Sequence, residues 1–233
     1  ALPYLEDFTL IGTTDIDHNT SPDSPQISAE EIDYICSELG LYLAWPISKA
    51  DIVASFSGVR PLVNDGRDEA QSVTRDYVLE WQADTSQSWL NIFGGKLTTY
   101  RKLSIKVADM VASVLPIAQA EFNPVKPLPG GAFPESDFGQ FVTRIQHEFP
   151  QHPKKMLTRM AAAYGTRIYQ ILGSHEMPAD LGQNFGFDLY SAEIDYLVDQ
   201  EWARTADDIL LRRTKLGLYF DKTMTEQLKS YLE

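Results

Sequence analysis

A segment rich in proline and glycine divides this chain into two parts of different character. "EFNPVKPLPGGAFPES", residues 121–136, holds four prolines and two glycines, and this composition is typical of a linker. Alternating patterns of strand period dominate before it, whereas patterns of helical period dominate after it. We therefore predict an α+β part at residues 1–120, a linker at residues 121–135 and an all-helical domain at residues 136–233.

Composition limits the class of protein. A chain of 233 residues that is 43% apolar can bury two modest cores, one on each side of the linker. The formal charge of −13 argues against a surface that binds nucleic acid, so an anionic ligand must meet local positive groups. The single cysteine, Cys36, favours a reducing compartment. We also predict no metal site and no membrane-spanning segment.

The first part carries four strand patterns and two helix patterns. The strands are predicted at residues 8–13, 51–63, 76–81 and 88–93. Ser28 and Glu31 have the spacing of a capping box, which predicts the start of a helix. An apolar stripe of helical period predicts a second helix at residues 99–115.

The second part carries apolar stripes of helical period, whose side chains we expect in the core. Their members are Phe138, Phe141, Ile145 and Phe149; Leu157, Met160, Ala161 and Tyr164; and Ile194, Leu197, Val198 and Trp202. Thr205 is predicted to cap one helix, and Thr223 with Glu226 to cap the last one. All four histidines are expected at the surface or at helix ends.

"FGGKLTTYRKL", residues 93–103, joins a predicted strand to a predicted helix through two glycines. The first N–H groups of a helix have no intrahelical acceptor and the helix dipole is positive there, so such a joint can bind an anion or a dipole. Lys96 adds a charge, and Thr98 or Thr99 can cap the helix or donate to a ligand. An ordinary strand-to-helix turn with a surface lysine fits the pattern equally well.

Two nucleotide-binding motifs are absent. A phosphate-binding loop would need glycine where Leu90 stands and a hydroxyl where Leu97 stands. The G-x-G-x-x-G fingerprint of dinucleotide sites does not occur. The joint at residues 93–103 can therefore meet only part of a cofactor.

Arg60 is the second candidate for binding an anion. Its guanidinium ends an apolar strand pattern and precedes Pro61, which suits bidentate binding of a phosphate or a carboxylate. A salt bridge to one of the many acidic residues fits equally well. Arg212 and Arg213 are expected to serve a helix C-terminus or to pair with acids of their own domain.

Several segments together resemble one enzyme family. They are "FTLIGTTD", "SGVRPL", "TRDYVL", "FGGKLTTYRKL", "LPGG", "DLGQNFG" and "EWARTADDILLRRTKLGL". In order and separation they resemble the C-terminal half of the aerobic, FAD-dependent glycerol-3-phosphate dehydrogenases. "SGVRPL" alone is shared with other FAD oxidoreductases, whereas the combination of "GGKLTTYRKL" with "RTADDILLRRT" is specific.

The resemblance implies an enzyme that oxidises sn-glycerol 3-phosphate to dihydroxyacetone phosphate, reduces FAD and passes electrons to quinone. It implies that the first part belongs to FAD-binding and substrate-cap domains, and that the protein is cytoplasmic and peripheral to the inner membrane. A homodimer stays open. Arg60 would clamp the substrate phosphate, and Lys96 would be the catalytic residue beside substrate and flavin. The residues against the isoalloxazine ring would be Gly94, Gly95, Leu97 and Thr98.

The chain starts without methionine and enters a strand pattern within a few residues. The family's pyrophosphate cradle and its histidine base would lie upstream of "FTLIGTTD". We therefore expect a fragment that neither holds FAD firmly nor turns over substrate by itself. Two other readings stay open: a flavin oxidoreductase that uses Arg60 for the carboxylate of an amino or hydroxy acid, and a non-catalytic helical interaction module.

Overall fold

The computed structural model describes residues 1–60, 76–83, 88–115, 127–133 and 137–233. The chain forms two compact units, residues 1–123 and residues 124–233. The first unit has eight basic and eighteen acidic residues, a formal charge of −10, whereas the second has a formal charge of −3. Of the predicted linker, residues 121–126 and 134–135 lie outside the described residues, so the predicted domain boundaries stay a prediction.

The first unit contains two antiparallel hairpins. Strand β1, Leu2–Tyr4, pairs with β2, Phe8–Leu10. Strand β3, Tyr77–Ala83, pairs with β4, Ser88–Gly94. The patterns at residues 76–81 and 88–93 are thus confirmed as strands. The pattern at residues 8–13 forms a strand only as far as residue 10, where the pairing with β1 ends.

The helices of the first unit follow local signals. Helix α1, Ala29–Gly40, begins at the predicted capping box of Ser28. A 3₁₀ turn at Lys49–Asp51 follows, and a second at Leu97–Thr99 leads into helix α2, Tyr100–Ala112. The predicted helix is therefore confirmed in its body and ends earlier than the pattern suggested.

The prediction of a strand at residues 51–63 is wrong for the residues that the structure describes. Residues 52–60 have no regular secondary structure, and residues 61–63 lie outside the described part. A strand pattern becomes a strand only where a neighbour supplies ladder hydrogen bonds. In the described hairpins β1 pairs with β2 and β3 pairs with β4, and none of these strands pairs with this segment.

Only the second unit has a core within the described residues. No described side chain of the first unit is fully buried, and large apolar side chains such as Tyr42, Trp45 and Phe56 are mostly exposed. Of the two cores expected from the sequence, the described residues therefore show only the one in the second unit. Apolar surface left in water contributes nothing to stability, so the described first unit gains little from hydrophobic burial.

The second unit is helical, as predicted. Its elements are α3 Phe138–Glu148, α4 Lys154–Tyr164, α5 Ile168–Leu172, α6 Ser191–Gln200, a π-helix at Asp208–Arg213 and α7 Lys222–Leu232. Short 3₁₀ turns lie at Gly165–Arg167, Pro178–Leu181 and Leu216–Leu218. None of the described helices combines the length and the apolarity that a membrane crossing needs.

The apolar faces of these helices meet in one core. Its largest fully buried side chains are Phe141, Phe185, Ile145, Met156, Leu157, Met160, Ile168, Leu172, Leu189, Ile194, Leu197 and Ile209. The "LPGG" segment is held to the 3₁₀ turn just before α5 within this unit, because Thr166 N–H donates to the Gly130 carbonyl at 2.8 Å. A Cβ on Gly165 would lie 2.0 Å from that oxygen, so the contact requires glycine there.

Four predictions for the second unit are wrong. Phe138, expected in the core, is 42% exposed, because it is the first residue of α3. Trp202 is 81% exposed with φ +61°, because α6 ends at Gln200. The last helix is capped by Asp221, whose carboxylate accepts from Met224 N–H at 2.9 Å, and not by Thr223 with Glu226. His152 is buried at 3% exposure instead of lying at the surface. The Thr205 cap is confirmed, since its hydroxyl accepts from Asp208 N–H.

Candidate functional site

The joint between β4 and α2 depends on its two glycines. Gly94 and Gly95 have φ of +66° and +91°, which side-chain-bearing residues rarely adopt. A Cβ on Gly95 would also lie 3.1 Å from the Tyr77 Cβ. The backbone therefore turns sharply between strand and helix and leaves one face of the turn without side chains.

Lys96 follows the glycines in an extended conformation, with φ −99° and ψ 145°. Its carbonyl oxygen accepts two hydrogen bonds from Thr99, one from the N–H at 3.0 Å and one from the hydroxyl at 2.8 Å. These bonds hold the backbone of the turn. The side chain is exposed, and within the described residues its ammonium makes no hydrogen bond or ion pair.

The start of α2 is not capped by a side chain. Thr99 is the N-cap residue, but its hydroxyl donates backwards to Lys96. Leu97 is 89% exposed and Thr98 is exposed as well. The N–H groups of Thr99 and Tyr100 donate to the carbonyls of Lys96 and Leu97, so the positive end of the helix lies at the start of the preceding 3₁₀ turn, which also has no side-chain cap. The arrangement therefore suits an anionic or strongly polar ligand.

Tyr77 supports the joint from the opposite strand. It pairs with Gly94 in the hairpin register, and its ring lies 5.6 Å from the Nζ of Lys106 on α2. Such a cation–π contact contributes about 0.5–1 kcal/mol at an exposed site. We assigned Tyr77 only to a strand from the sequence. The hairpin register places Tyr77 opposite Gly94, and this pairing is the signal that would have identified Tyr77 as a support of the joint.

Arg60 lies on the extended segment after the first 3₁₀ turn and pairs with Asp15. The distance from its Nη1 to the Asp15 Oδ2 is 2.7 Å, and the two side chains are 55% and 25% exposed. The salt bridge to an acidic residue, one of the two possibilities that the sequence left open for Arg60, is thus present. A guanidinium has five N–H donors, and the bond to Asp15 that the structure describes uses one of them.

The described contacts connect the two candidate cations to different neighbours. Arg60 contacts Asp15, whereas the Lys96 backbone contacts Thr99. No described hydrogen bond links the two groups. That Arg60 and Lys96 share one ligand stays a prediction, as do the roles of Gly94, Gly95, Leu97 and Thr98.

The second unit contains a buried ionic network that the sequence reasoning missed. Arg159 donates to both carboxylate oxygens of Glu193, at 2.6 and 2.8 Å, and the Tyr164 hydroxyl donates to the same carboxylate at 2.6 Å. Burial alone would lower the pKa of Arg159, but the Glu193 carboxylate outweighs it and the pKa is raised. Glu193 next to the apolar stripe of α6 was the available signal.

This network is satisfied from within the unit, so its polar groups are not directed at a ligand. Arg212 and Arg213 likewise pair with Asp208 and Glu201, as expected from the sequence. Among the residues that the structure describes, no cluster of histidine, cysteine and acidic side chains could hold a metal ion. The candidate ligand-binding side chains that the sequence singled out, Arg60 and Lys96, both lie in the first unit.

Comparison with known proteins finds similarity along the whole chain. A family model described as the C-terminal domain of alpha-glycerophosphate oxidase matches residues 125–231. A glycerol-3-phosphate dehydrogenase of Pseudomonas aeruginosa is 38% identical over 234 residues, and an aerobic glycerol-3-phosphate dehydrogenase of Escherichia coli is 35% identical over 232 residues. A D-erythritol 1-phosphate dehydrogenase of Brucella abortus is 36% identical over 217 residues.

These alignments cover nearly all of this chain but less than half of each relative. The shares of this chain are 100%, 99% and 93%, and the shares of the relatives are 46%, 46% and 43%. The chain therefore spans about half the length of the curated relatives it matches.

Proposed function

We propose that this chain is the C-terminal part of an FAD-dependent glycerol-3-phosphate dehydrogenase, because residues 125–231 match the family model described as the C-terminal domain of alpha-glycerophosphate oxidase. The reaction converts the secondary alcohol of sn-glycerol 3-phosphate into the ketone of dihydroxyacetone phosphate. The alcohol loses its carbon-bound hydrogen with two electrons and its hydroxyl proton. FAD supplies the electron acceptor when it is bound, and quinone is the proposed final acceptor.

One observation carries the proposal: the turn at residues 94–96 opens a helix whose start has no side-chain cap. Glycines allow a planar group to approach the backbone closely. The free N–H groups and the helix dipole favour negative charge at that place. These residues fit the isoalloxazine part of FAD, with Gly94, Gly95, Leu97 and Thr98 as the residues against it.

The fingerprint that holds the pyrophosphate part of FAD is missing from this sequence. No G-x-G-x-x-G occurs in it, and that fingerprint is what brings a helix N-terminus to a pyrophosphate. We therefore propose that the 233-residue chain alone does not hold FAD firmly, and that the other half of the family's length supplies the missing contacts.

The proposed substrate site uses two cations in a strongly acidic unit. Arg60 would bind the phosphate through the donors that Asp15 leaves open, and Lys96 would bind and orient the oxygen atoms next to the reacting carbon. Because the first unit has a formal charge of −10, an anionic substrate is attracted only where cations are placed locally. We propose peripheral attachment to a membrane only for the complete protein.

A second candidate substrate is D-erythritol 1-phosphate. The relative that carries this name is 36% identical to the chain, within the range of the glycerol-3-phosphate dehydrogenases at 35–38%. Both compounds are phosphate esters of polyols, and Arg60 would bind the phosphate of either one. Comparing kcat/KM for the two substrates decides between them.

The test joins this chain to the N-terminal segment of the Pseudomonas aeruginosa relative that precedes the matched region. We expect the joined protein to bind flavin and to oxidise glycerol 3-phosphate in a dye-linked assay. Lys96→Met should lower kcat/KM roughly 100-fold or more, since removal of one preorganised polar group at a reacting centre costs about that much. Lys102→Met, on the exposed face of α2, is the matched control and should have little effect.

The same assay on the isolated 233-residue chain should show neither flavin absorbance nor turnover. Flavin bound in equal amount to the isolated chain would overturn the claim of an incomplete cofactor site. Full activity of Lys96→Met in the joined protein would overturn the proposed role of the joint. A joined protein that oxidises a carboxylate substrate but no polyol phosphate would favour the rival flavin oxidoreductase.

A further inference from the structure

We propose that Asp15 is a positioning residue for Arg60, and that it holds the guanidinium so that its remaining donors face an incoming phosphate. The inference rests on the proposed function, because it assigns a task within the same site. It also gives a role to the acidic end of the "FTLIGTTD" segment.

The ion pair joins two segments that lie 45 residues apart in the chain. The contact that the structure describes runs from the Arg60 Nη1 to the Asp15 Oδ2 at 2.7 Å. The Asp15 side chain is 25% exposed, whereas the Arg60 side chain is 55% exposed. The carboxylate therefore forms the shielded side of the pair, and more of the guanidinium is open to solvent.

Asp15 is anchored through its neighbour. The Thr14 hydroxyl donates to the Glu31 Oε1 at 2.5 Å, and the Glu31 Oε2 accepts from Ser28 N–H at 2.9 Å. Ser28 in turn caps helix α1 by accepting from Glu31 N–H at 3.1 Å. The hydrogen bond from Ser28 N–H and then that from Thr14 lower the pKa of Glu31, so it stays ionised. The segment that carries Asp15 is thus fixed to the start of a helix.

The geometry of the guanidinium makes this pair compatible with a second anion. Arginine presents five N–H donors in a planar fork, and the described contact with Asp15 uses one of them. A phosphate ester can take two parallel hydrogen bonds from such a fork. Holding the long side chain in place beforehand reduces the ordering cost of binding.

Two effects of Asp15 on phosphate binding oppose each other, so the direction in which Asp15→Asn changes the phosphate affinity is informative. Ordering of Arg60 favours phosphate binding, whereas the negative charge of Asp15 repels the phosphate. If ordering dominates, Asp15→Asn weakens binding. If repulsion dominates, the same variant strengthens binding. A purely structural ion pair would change stability and leave the affinity of the folded protein unchanged.

The first experiment uses the full 233-residue chain and inorganic phosphate as the probe. Arg60 is observed by NMR at its Nε, and phosphate is titrated into the wild type, Asp15→Asn and Asp17→Asn. Asp17 is the matched control, because it is exposed on the same segment and its change removes the same charge. We expect Asp15→Asn to raise the half-saturating phosphate concentration roughly three- to tenfold, a range that allows for screening at an exposed pair.

Relaxation of the Arg60 Nε gives a second reading in the same samples. Asp15→Asn should make the guanidinium more mobile, Asp17→Asn should not, and Asp15→Glu should restore part of the order. Equal mobility in the wild type and Asp15→Asn would overturn the inference. Unchanged or tighter phosphate binding by Asp15→Asn would overturn it too, as would a wild-type Arg60 that does not respond to phosphate.

The second experiment uses the joined protein described above and separates this inference from the proposed function. Asp15→Asn should raise KM for glycerol 3-phosphate and leave kcat nearly unchanged, and it should not alter kcat/KM for glycerol, which lacks the phosphate. An equal loss for both substrates would contradict a positioning role. The joined protein could oxidise no polyol phosphate while Arg60 still binds phosphate and Asp15→Asn still weakens that binding. In that case the proposed function fails and the inference stands.

Discussion

At the residue scale, the glycines and cations of the joint could be singled out from the sequence, because each has a local reason. The positive φ at Gly94 and Gly95 is a conformation that glycine tolerates at little cost. The partners of these residues could not be predicted in the same way. Asp15 and Tyr77 reach Arg60 and Gly95 through tertiary contacts, and no spacing in the sequence indicates which acid or ring will be chosen.

The buried position of His152 could not be predicted from the sequence. It is 3% exposed, and neither ring nitrogen has a hydrogen-bond partner within the described chain. Burial lowers its pKa, and the charge of His175 lowers it further, against a smaller opposite effect of Asp180. The folded second unit therefore prefers the neutral imidazole.

This preference predicts a loss of stability in acid. The unfolded chain binds a proton near the ordinary pKa of about 6.5, whereas the folded chain resists protonation. The stabilising contribution is complete above that pH and is lost as the pH falls through the lower folded pKa. We expect His152→Phe to flatten the dependence of unfolding free energy on pH between about 7 and 5, as measured by urea unfolding followed by circular dichroism.

His147→Gln is the matched control, since His147 is exposed on α3, and it should keep the slope of the wild type. A His152→Phe variant that folds and retains the full acid dependence would show that other groups cause it. A second variant, His152→Leu, guards against a misfit of the phenylalanine ring.

At the scale of elements, the end of α6 shows an exposed tryptophan in a position that favours glycine. Ala203 N–H donates to the Leu197 carbonyl at 3.0 Å, which closes the helix around Trp202 at φ +61°. A left-handed conformation costs a residue with a Cβ about 1–2 kcal/mol. With 81% of its surface exposed, the indole gains little from packing in return.

We therefore expect Trp202→Gly to raise the free energy of unfolding by about 1 kcal/mol. Trp202→Ala is the control, because alanine keeps the Cβ and thus most of the strain. Urea unfolding of both variants measures the difference. Equal stabilities of the two variants would show that the left-handed backbone is not the source of the cost.

The same contrast explains which elements could be predicted. Helix α1 and the β3–β4 hairpin carry their own start signals or pairing partners nearby in sequence, and both form where the sequence predicts them. The strand at residues 51–63 needs a partner from elsewhere, and residues 52–60 have no regular secondary structure. The early end of α6 depends on its closing hydrogen bond, which the apolar stripe through Trp202 does not indicate.

At the scale of the whole molecule, the two units differ in what holds them. The second has a continuous apolar core and a satisfied buried ionic network. The first carries most of the net charge and has no fully buried side chain within its described residues. The unit with the candidate site is thus the one with the least internal packing. The proposal that further family sequence completes the cofactor site agrees with this difference.

Arg60 and Lys96 are proposed to act on one polyol phosphate. A double-mutant cycle tests it most directly, with kcat/KM for glycerol 3-phosphate measured for Arg60→Lys, Lys96→Met and the double variant of the joined protein. Residues that share a ligand should show a coupling of about 0.5–3 kcal/mol. Losses that add within about 0.3–0.5 kcal/mol, as for independent sites, would contradict a single site.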